Sequence, residues 1–178
     1  MFQKILLAVD GSSHSDLAVD YAGKLAAAFD ATLLIVHAYA QTSDLLGYDD
    51  IEKRVAARKT AGQGVIDRAR QRLADSSLTI TEDLLEGPEA EAILAAAAAQ
   101  KVDLVVMGTK GASGLKEVFL GSVAGGVITR TKAPVLVVPE DVTFNPPKHI
   151  VFGVGSLPVE NPEAVIAPLR KIVEHCKP

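Results

Sequence analysis

Five short apolar runs alternate with longer stretches of helical spacing along most of the chain. Each run is nearly continuous in apolar residues, which is typical of strands covered on both faces of a sheet. Thr79, Thr81 and Glu82 interrupt the third run, and this pattern favours an edge strand. The predicted strands are Ile5–Val9, Thr32–Ala38, Leu78–Leu84, Leu104–Met107 and Val135–Val138.

The stretches between these runs predict four helices. In the first helix, Leu17, Tyr21 and Leu25 recur on one apolar stripe. The second is rich in charged residues, so one of its faces is expected to lie in solvent. Acidic residues follow Pro88 in the third, where the positive end of the helix dipole favours them. The predicted helices are Ser13–Phe29, Ile51–Ala74, Pro88–Gln100 and Ser122–Thr131.

The alternation of strands and helices predicts the fold class. Right-handed crossovers of this length build a doubly wound α/β fold with a mainly parallel sheet. In such sheets, ligands bind at the carboxyl ends of the strands where the strand order reverses. The longest irregular connection after a strand is Gly108–Leu120. We therefore expect the binding site at the end of the fourth strand.

The sequence changes character after Pro139. A polar segment with two consecutive prolines is typical of a linker. Beyond it, His149–Gly155 is similar to Lys4–Asp10, and helical spacing follows over Asn161–His175. Such a unit would dock on the main domain, dock on a partner or belong to a truncated tandem protein; a tail that only resembles a repeat is the alternative. The predicted organisation is a domain at 1–139, a linker at 140–148 and a partial second repeat (an extra strand and helix) at 149–178.

Composition narrows the function classes. Of the 178 residues, 48% are hydrophobic. The net charge is −4, and the chain contains no block of basic residues. Nucleic acid and anionic membrane are therefore disfavoured as partners. No stretch reaches the roughly 18 consecutive apolar residues of a membrane helix, and the N-terminus lacks a signal-peptide pattern. Cys176 is the only cysteine, which excludes an internal disulfide. We expect a cytoplasmic protein.

A glycine-rich loop follows the fourth predicted strand. Gly108, Gly111 and Gly114 lie close together, and Gly121 and Ser122 precede the last helix. Glycine permits positive φ and lets backbone N–H groups approach a ligand, and a helix N-terminus favours anions. Ser122 is a candidate N-cap, or its hydroxyl could instead donate a hydrogen bond to a phosphate oxygen. The spacing fits neither the usual phosphate loop nor the dinucleotide fingerprint, and glycines of an ordinary flexible loop are the alternative.

Asp10 stands at the carboxyl end of the first strand, where a doubly wound sheet would bring it beside this loop. Its carboxylate could accept hydrogen bonds from an adenine amino group or a ribose, or lie near a metal. The alternative is that Asp10 caps the following helix, a role for which Ser12 and Ser13 are equally suited.

Other polar residues carry weaker signals. His37 ends the second strand, where a packed or capped histidine is favoured. His14, His149 and His175 show no metal-ligand spacing, so no metal site is predicted. Lys110 and Lys116 would pair with phosphates or lie in solvent. Ser12 and Ser13 lack identifiable His and acid partners, which disfavours nucleophilic catalysis.

Together these segments resemble the universal stress protein family over Phe2 to about Pro139. The ATP-binding branch of that family carries G-x2-G-x9-G-[S/T], which this chain reproduces at Gly108, Gly111, Gly121 and Ser122. Further matching segments are Ile5–Ser12, Val36-His37 and Ala133–Pro139.

The resemblance implies an adenine nucleotide alpha hydrolase-like sheet in the order 3-2-1-4-5, with ATP and Mg²⁺ as ligands. It also implies a homodimer through Val135–Val138, although the added C-terminal segment offers an alternative contact. Gly155 stands where Asp10 stands in the first copy, so the second copy is not expected to bind nucleotide. By position, the residues implied beside adenine are Asp10, Ala38, Ala8 and Val9, those flanking ribose and phosphates are Met107, Gly108 and Gly111, and those holding phosphates are Gly121, Ser122 and Val123.

The sequence leaves three functions open. The first is a regulatory ATP-binding module of the stress response with slow or absent hydrolysis, because no base that would activate water is evident. The second is a slow ATPase or a phosphoryl- or nucleotidyl-transfer enzyme in which Asp10 serves magnesium or positions water. The third is a nucleotide-free scaffold that acts through its C-terminal segment. Binding of AMP or a cyclic nucleotide remains open under the first.

Overall fold

The computed structural model describes residues 2–40, 51–109 and 120–139, together with Glu163, Ile166, Ala167, Arg170 and Glu174. The strands are β1 (Lys4–Ala8), β2 (Thr32–Tyr39), β3 (Ile80–Glu86), β4 (Leu104–Gly108) and β5 (Val135–Val138). The helices are α1 (Ser13–Phe29), α2 (Ile51–Arg72), α3 (Glu89–Ala99) and α4 (Ser122–Ile128).

All five strands are parallel and form one sheet in the order β3-β2-β1-β4-β5. This confirms the predicted doubly wound α/β fold and the order implied by the resemblance. It also confirms that the third strand lies at an edge of the sheet, while β1 lies at its centre. The strand order reverses at β1, because β2 and β4 border it on opposite sides.

The third strand is displaced from its predicted position. It covers Ile80–Glu86 instead of Leu78–Leu84 because it pairs with β2 from Leu33 to Tyr39. Thr79 still contributes its carbonyl, which accepts the Leu33 N–H at 2.9 Å. The interrupted apolar pattern of this edge strand does not predict its register. Pairing with β2 sets the register.

Helices cover both faces of the sheet. On one face, Ala90 and Ile93 of α3 and Val127 of α4 pack in a buried cluster with Leu6 and Val105. On the other, α1 contacts β1 and β4 while α2 contacts β2. The last four residues of β1, Ile5–Ala8, alternate between the two faces and are buried. Burial of each such leucine or isoleucine stabilises the fold by roughly 1.5–3 kcal/mol. This explains why β1 is apolar at every central position.

Several helix ends differ from the sequence expectation. Helix α2 ends at Arg72 and α4 at Ile128, two to three residues before the predicted ends. Pro88 is the N-cap of α3 and precedes its first residue. These small changes leave the amino ends of α1, α3 and α4 at the carboxyl edge of the sheet, as parallel crossovers require.

The chain divides into two compact units, Phe2–Val142 and a second that comprises Thr143–Pro178 with Met1. In the second unit, the five described residues are helical and lie within the predicted helix Asn161–His175. Arg170 Nη1 donates to Glu163 Oε1 at 3.0 Å. The predicted linker 140–148 and the strand at His149–Gly155 lie outside the described residues. In the described part of the chain, no helix combines the length and apolar character needed to cross a membrane.

Candidate functional site

A cavity of about 360 Å³ lies where β1, β2 and β4 end. This is the point at which the strand order reverses, so the chain leaves β1, β2 and β4 in diverging directions and a crevice opens. The predicted site residues that line it are Ala8, Val9, Asp10, Ala38, Met107, Gly108, Gly121, Ser122 and Val123. Gly111, Lys110 and Lys116 lie outside the described residues.

The cavity also includes residues that the sequence did not single out as ligand contacts. Glu89 and Ile93 come from α3, which begins just after β3, and they add a second carboxylate and an apolar wall. The sequence indicated their place only through position, because Gly87-Pro88-Glu89 follows a strand that ends at the same edge of the sheet. The remaining additions are Ser15, Val36, His37, Thr109 and Ala124.

The two halves of the glycine motif are joined by backbone hydrogen bonds. Gly121 N–H donates to the Thr109 carbonyl at 2.8 Å, and Thr109 N–H donates to the Val138 carbonyl at 3.1 Å. The residues on either side of segment 110–119 are therefore adjacent. This closure explains why Gly108 and Gly121, although distant in sequence, border one cavity.

Gly108 is required for close packing. A Cβ atom at this position would lie 3.1 Å from the backbone carbon, the oxygen and the Cβ of His14 on α1. Positive φ among the described glycines occurs at Gly11 and Gly87. The conformational freedom expected of the loop glycines is therefore not what selects glycine at the end of β4. Its lack of a side chain lets the first turn of α1 approach the strand.

Helix α4 begins without a side-chain cap. Gly121 is its N-cap and Ser122 its first helical residue, so the predicted N-cap role of Ser122 is wrong. Because Gly121 has no side chain, no cap oxygen occupies the first-turn N–H groups. The first intrahelical bond runs from Gly125 N–H to the Gly121 carbonyl at 2.8 Å. The N–H groups of Ser122, Val123 and Ala124 thus precede the helical ladder at the cavity wall.

Asp10 organises the start of α1. Its Oδ1 accepts the Ser12 N–H at 3.0 Å and the Ser12 hydroxyl at 2.6 Å. Ser12 is the N-cap, and its Oγ accepts the Ser15 N–H at 3.3 Å. Asp10 therefore supports the cap without being the cap, and it lines the cavity at the same time. Within the described ranges, no group of three or more His, Cys, Asp or Glu side chains is arranged to hold a metal ion.

His37 connects the ends of β2 and β1. Its Nδ1 lies 2.8 Å from the Val9 carbonyl. A carbonyl only accepts, so Nδ1 carries the proton. The ring packs against α2 at Gly62, where an added Cβ would lie 2.8 Å from the ring Cδ2. The expectation of a packed or capped histidine is confirmed, and the same side chain lines the cavity.

Backbone groups of Ala38 face the crevice. In β2, Thr32 and Val36 bond towards the β1 side, whereas Leu33 and Tyr39 bond towards the β3 side. This alternation directs the N–H and C=O of Ala38 to the β1 side, beyond the last residue of β1. Among the hydrogen bonds of the described residues, none joins Ala38 to the Val9 carbonyl. A donor and an acceptor from one residue therefore face the cavity together.

Comparison with known proteins identifies the family. The model of the universal stress protein family matches residues 1–139. The chain belongs to this family. A universal stress protein of Thermus aquaticus is 41% identical over 144 residues, covering 78% of this chain and 99% of that protein.

Two solved structures are similar to this chain. A universal stress protein solved in complex with cAMP is 33% identical, with a TM-score of 0.61, covering 77% of this chain and 97% of that one. The Methanocaldococcus jannaschii protein MJ0577 superposes with a TM-score of 0.70 at 24% identity, covering 80% of this chain and 99% of that one. At that identity the second likeness shows the fold alone.

Proposed function

We propose that this universal stress protein binds ATP, accompanied by Mg²⁺, and acts as a nucleotide-dependent regulatory module of the stress response. The observation that carries the proposal is the cavity itself. It has the hydrogen-bonding edge of Ala38 at one end and the uncapped start of α4 at the other. Val36, Ile93 and Met107 contribute apolar side chains to its lining.

The Ala38 end suits an adenine base. Its N–H would donate to the base N1 and its C=O would accept from the 6-amino group. Ala8 and Val9 would lie beside the ring, and Asp10 would accept from the base or the ribose. Each hydrogen bond made inside the cavity replaces one with water, so its net value is about 1 kcal/mol. The benefit is selectivity, since a wrong base leaves both groups unpaired.

The α4 end suits phosphates. The N–H groups of Ser122 and Val123 would donate to phosphate oxygens, and the Ser122 hydroxyl would add a further donor. Gly108, Gly111 and Met107 would flank the ribose and the phosphates, and Gly121 allows close approach. Magnesium would be held mainly by the phosphates themselves, as is usual for this ion.

A relative supports the ligand class. The structure that is 33% identical to this chain was solved with cAMP, an adenine nucleotide. The choice of ATP rests on the complete G-x2-G-x9-G-S spacing. This motif would provide contacts to more than one phosphate.

Equilibrium binding tests the proposal. Calorimetry with ATP, AMP and cAMP, each with and without magnesium, is expected to give saturable binding with ATP as the tightest ligand. Gly121→Val places a branched side chain at the start of α4 and is expected to weaken ATP binding at least tenfold. Gly64→Ala, on an open part of α2, is the control and is expected to bind as the wild type does. No binding at millimolar nucleotide, or unchanged affinity in Gly121→Val, would contradict the proposal.

A slow ATPase is the second candidate. It is motivated by two carboxylates, Asp10 and Glu89, that border the cavity. Asp10 Oδ1 is already engaged by both donors of Ser12, which disfavours it as a base. Turnover well above background that is lost in Asp10→Ala, with ATP binding retained, would establish this activity.

We also propose a homodimer formed through Val135–Val138. This strand is at the edge of the described sheet, and Val135, Leu136 and Val137 are only half-buried. An apolar edge strand is a template for pairing with another chain. Leu136→Glu is expected to shift the mass in solution from dimer to monomer. If deletion of residues 145–178 has that effect and Leu136→Glu does not, the C-terminal segment is the contact.

A further inference from the structure

We infer that His37 is a positioning residue that keeps the Ala38 N–H available for the nucleotide base. It does so by donating its own Nδ1–H to the Val9 carbonyl, which the sheet ladder would otherwise offer to Ala38. The inference rests on the proposed adenine site and extends it to a residue outside the glycine motif.

The hydrogen-bond ladder between β1 and β2 ends beside His37. Val9 N–H still donates to the Val36 carbonyl at 2.9 Å, so the two strands remain in register up to Val9. In a parallel ladder the next bond runs from Ala38 N–H to the Val9 carbonyl. The His37 ring nitrogen lies 2.8 Å from that carbonyl instead. The ladder therefore stops one bond early, at the edge of the cavity.

The ring of His37 is held in place by α2. Gly62 lies against it so closely that an added Cβ would be 2.8 Å from Cδ2, and 2.7 Å from Cδ1 of Leu84. Glycine inside a helix is unfavourable, but here it makes room for the imidazole. Because the ring is confined between α2 and β1, its donor is directed at one acceptor.

Adenine presents an acceptor at N1 and a donor at its 6-amino group, which matches the N–H and C=O of Ala38. Hypoxanthine presents the reverse, a donor at N1 and an acceptor at O6. If the Ala38 N–H turned to Val9, the cavity would lose its donor for N1. His37 would thus set base selectivity without touching the base.

Amide exchange tests the positioning role without any nucleotide. In His37→Ala, the Ala38 amide is expected to gain the Val9 partner and exchange at least tenfold more slowly relative to the amide of Ile35 in the same strand. In His37→Asn, the side-chain amide nitrogen occupies nearly the place of Nδ1, so exchange is expected to remain as in the wild type. His37→Gln moves the donor one methylene away and is expected to behave as His37→Ala does, which keeps the test open if the alanine variant fails to fold.

Base selectivity provides the second measurement. The ratio of ITP to ATP dissociation constants is expected to fall about five- to tenfold in His37→Ala and His37→Gln, the value of one hydrogen bond. It is expected to be retained in His37→Asn. Unchanged Ala38 exchange in both the alanine and glutamine variants, or unchanged selectivity in a protein that binds ATP, overturns the inference. If the wild type binds no adenine nucleotide, the proposed function fails, while the exchange data still decide the role of His37.

Discussion

The hydroxyl of Ser12 donates to Oδ1 of Asp10 at 2.6 Å while its oxygen accepts the Ser15 N–H that begins α1. Oδ1 also accepts the Ser12 N–H. A carboxylate on the cavity wall and a helix cap are thereby one hydrogen-bonded unit. Structural support of α1 and a role towards a ligand, which the sequence set out as alternatives for Asp10, are compatible in this geometry.

This unit predicts coupled effects on stability. Ser12→Ala removes the cap and is expected to lower the free energy of unfolding by about 1 kcal/mol. Asp10→Ala removes the acceptor that orients Ser12, so the double variant is expected to be less destabilised than the sum of the two. Urea unfolding of the four proteins measures the coupling. Additivity within about 0.5 kcal/mol would show that the two residues act separately.

Two glycines in α2 are expected to respond in opposite directions to alanine. At Gly64 an added Cβ meets no atom of the described residues within 4 Å, so Gly64→Ala is expected to stabilise the protein by about 0.5–1 kcal/mol through helix propensity. At Gly62 the Cβ would press on the hydrogen-bonded His37 ring, and a loss of about 1–2 kcal/mol is expected. Thermal unfolding of both variants measures the difference. Equal shifts of the same sign would contradict the close approach of α2 to β2.

Gly108→Ala tests the packing of α1 against β4. The added methyl group would meet backbone atoms of His14 at 3.1 Å, which can move only with the helix. A loss of about 1–3 kcal/mol is expected, together with weaker ATP binding because both elements border the cavity. Gly125→Ala is a matched control, since among the described residues its Cβ would meet only Leu120 Cδ2, at 3.9 Å. A Gly108→Ala protein as stable as this control would disprove the contact.

The ion pair between Glu91 and Arg130 predicts a pH dependence. Arg130 Nη1 lies 2.7 Å from Glu91 Oε1, and this hydrogen bond lowers the pKa of Glu91. A carboxyl whose pKa is lower in the folded state stabilises the fold above its unfolded pKa, about 4.3, and loses that contribution as pH falls through the folded pKa. Glu91→Gln is therefore expected to melt below the wild type at pH 7.

A pH series, repeated in an Arg130→Gln background, is the control for that measurement. The difference in melting temperature between wild type and Glu91→Gln is expected to shrink as pH falls below about 4.3. In an Arg130→Gln background the part of this pH dependence due to the pair is expected to disappear. A difference that stays constant from pH 7 to pH 3 would show that the pair contributes nothing.

Local patterns determined the elements and much of the candidate site. Apolar runs predicted all five strands, and helical spacing predicted α1 with both its ends. The same patterns placed Asp10, Gly108 and Gly121 at the ends of elements, because the residue types that end a strand or begin a helix act on their immediate neighbours. The positions of the motif residues were therefore readable without a structure.

Contacts between distant segments were decided only by the tertiary structure. The register of β3 depends on β2, and glycine at 108 depends on the approach of His14 from α1. The bond from His37 to Val9, and the arrival of Glu89 at the cavity, join residues from different strands and helices. Periodicity records which face of an element is buried, but not which atom of another element meets it. For that reason the sequence located the two halves of the glycine motif, while the folded chain showed how the ends of β1 and β2 shape the cavity beside them.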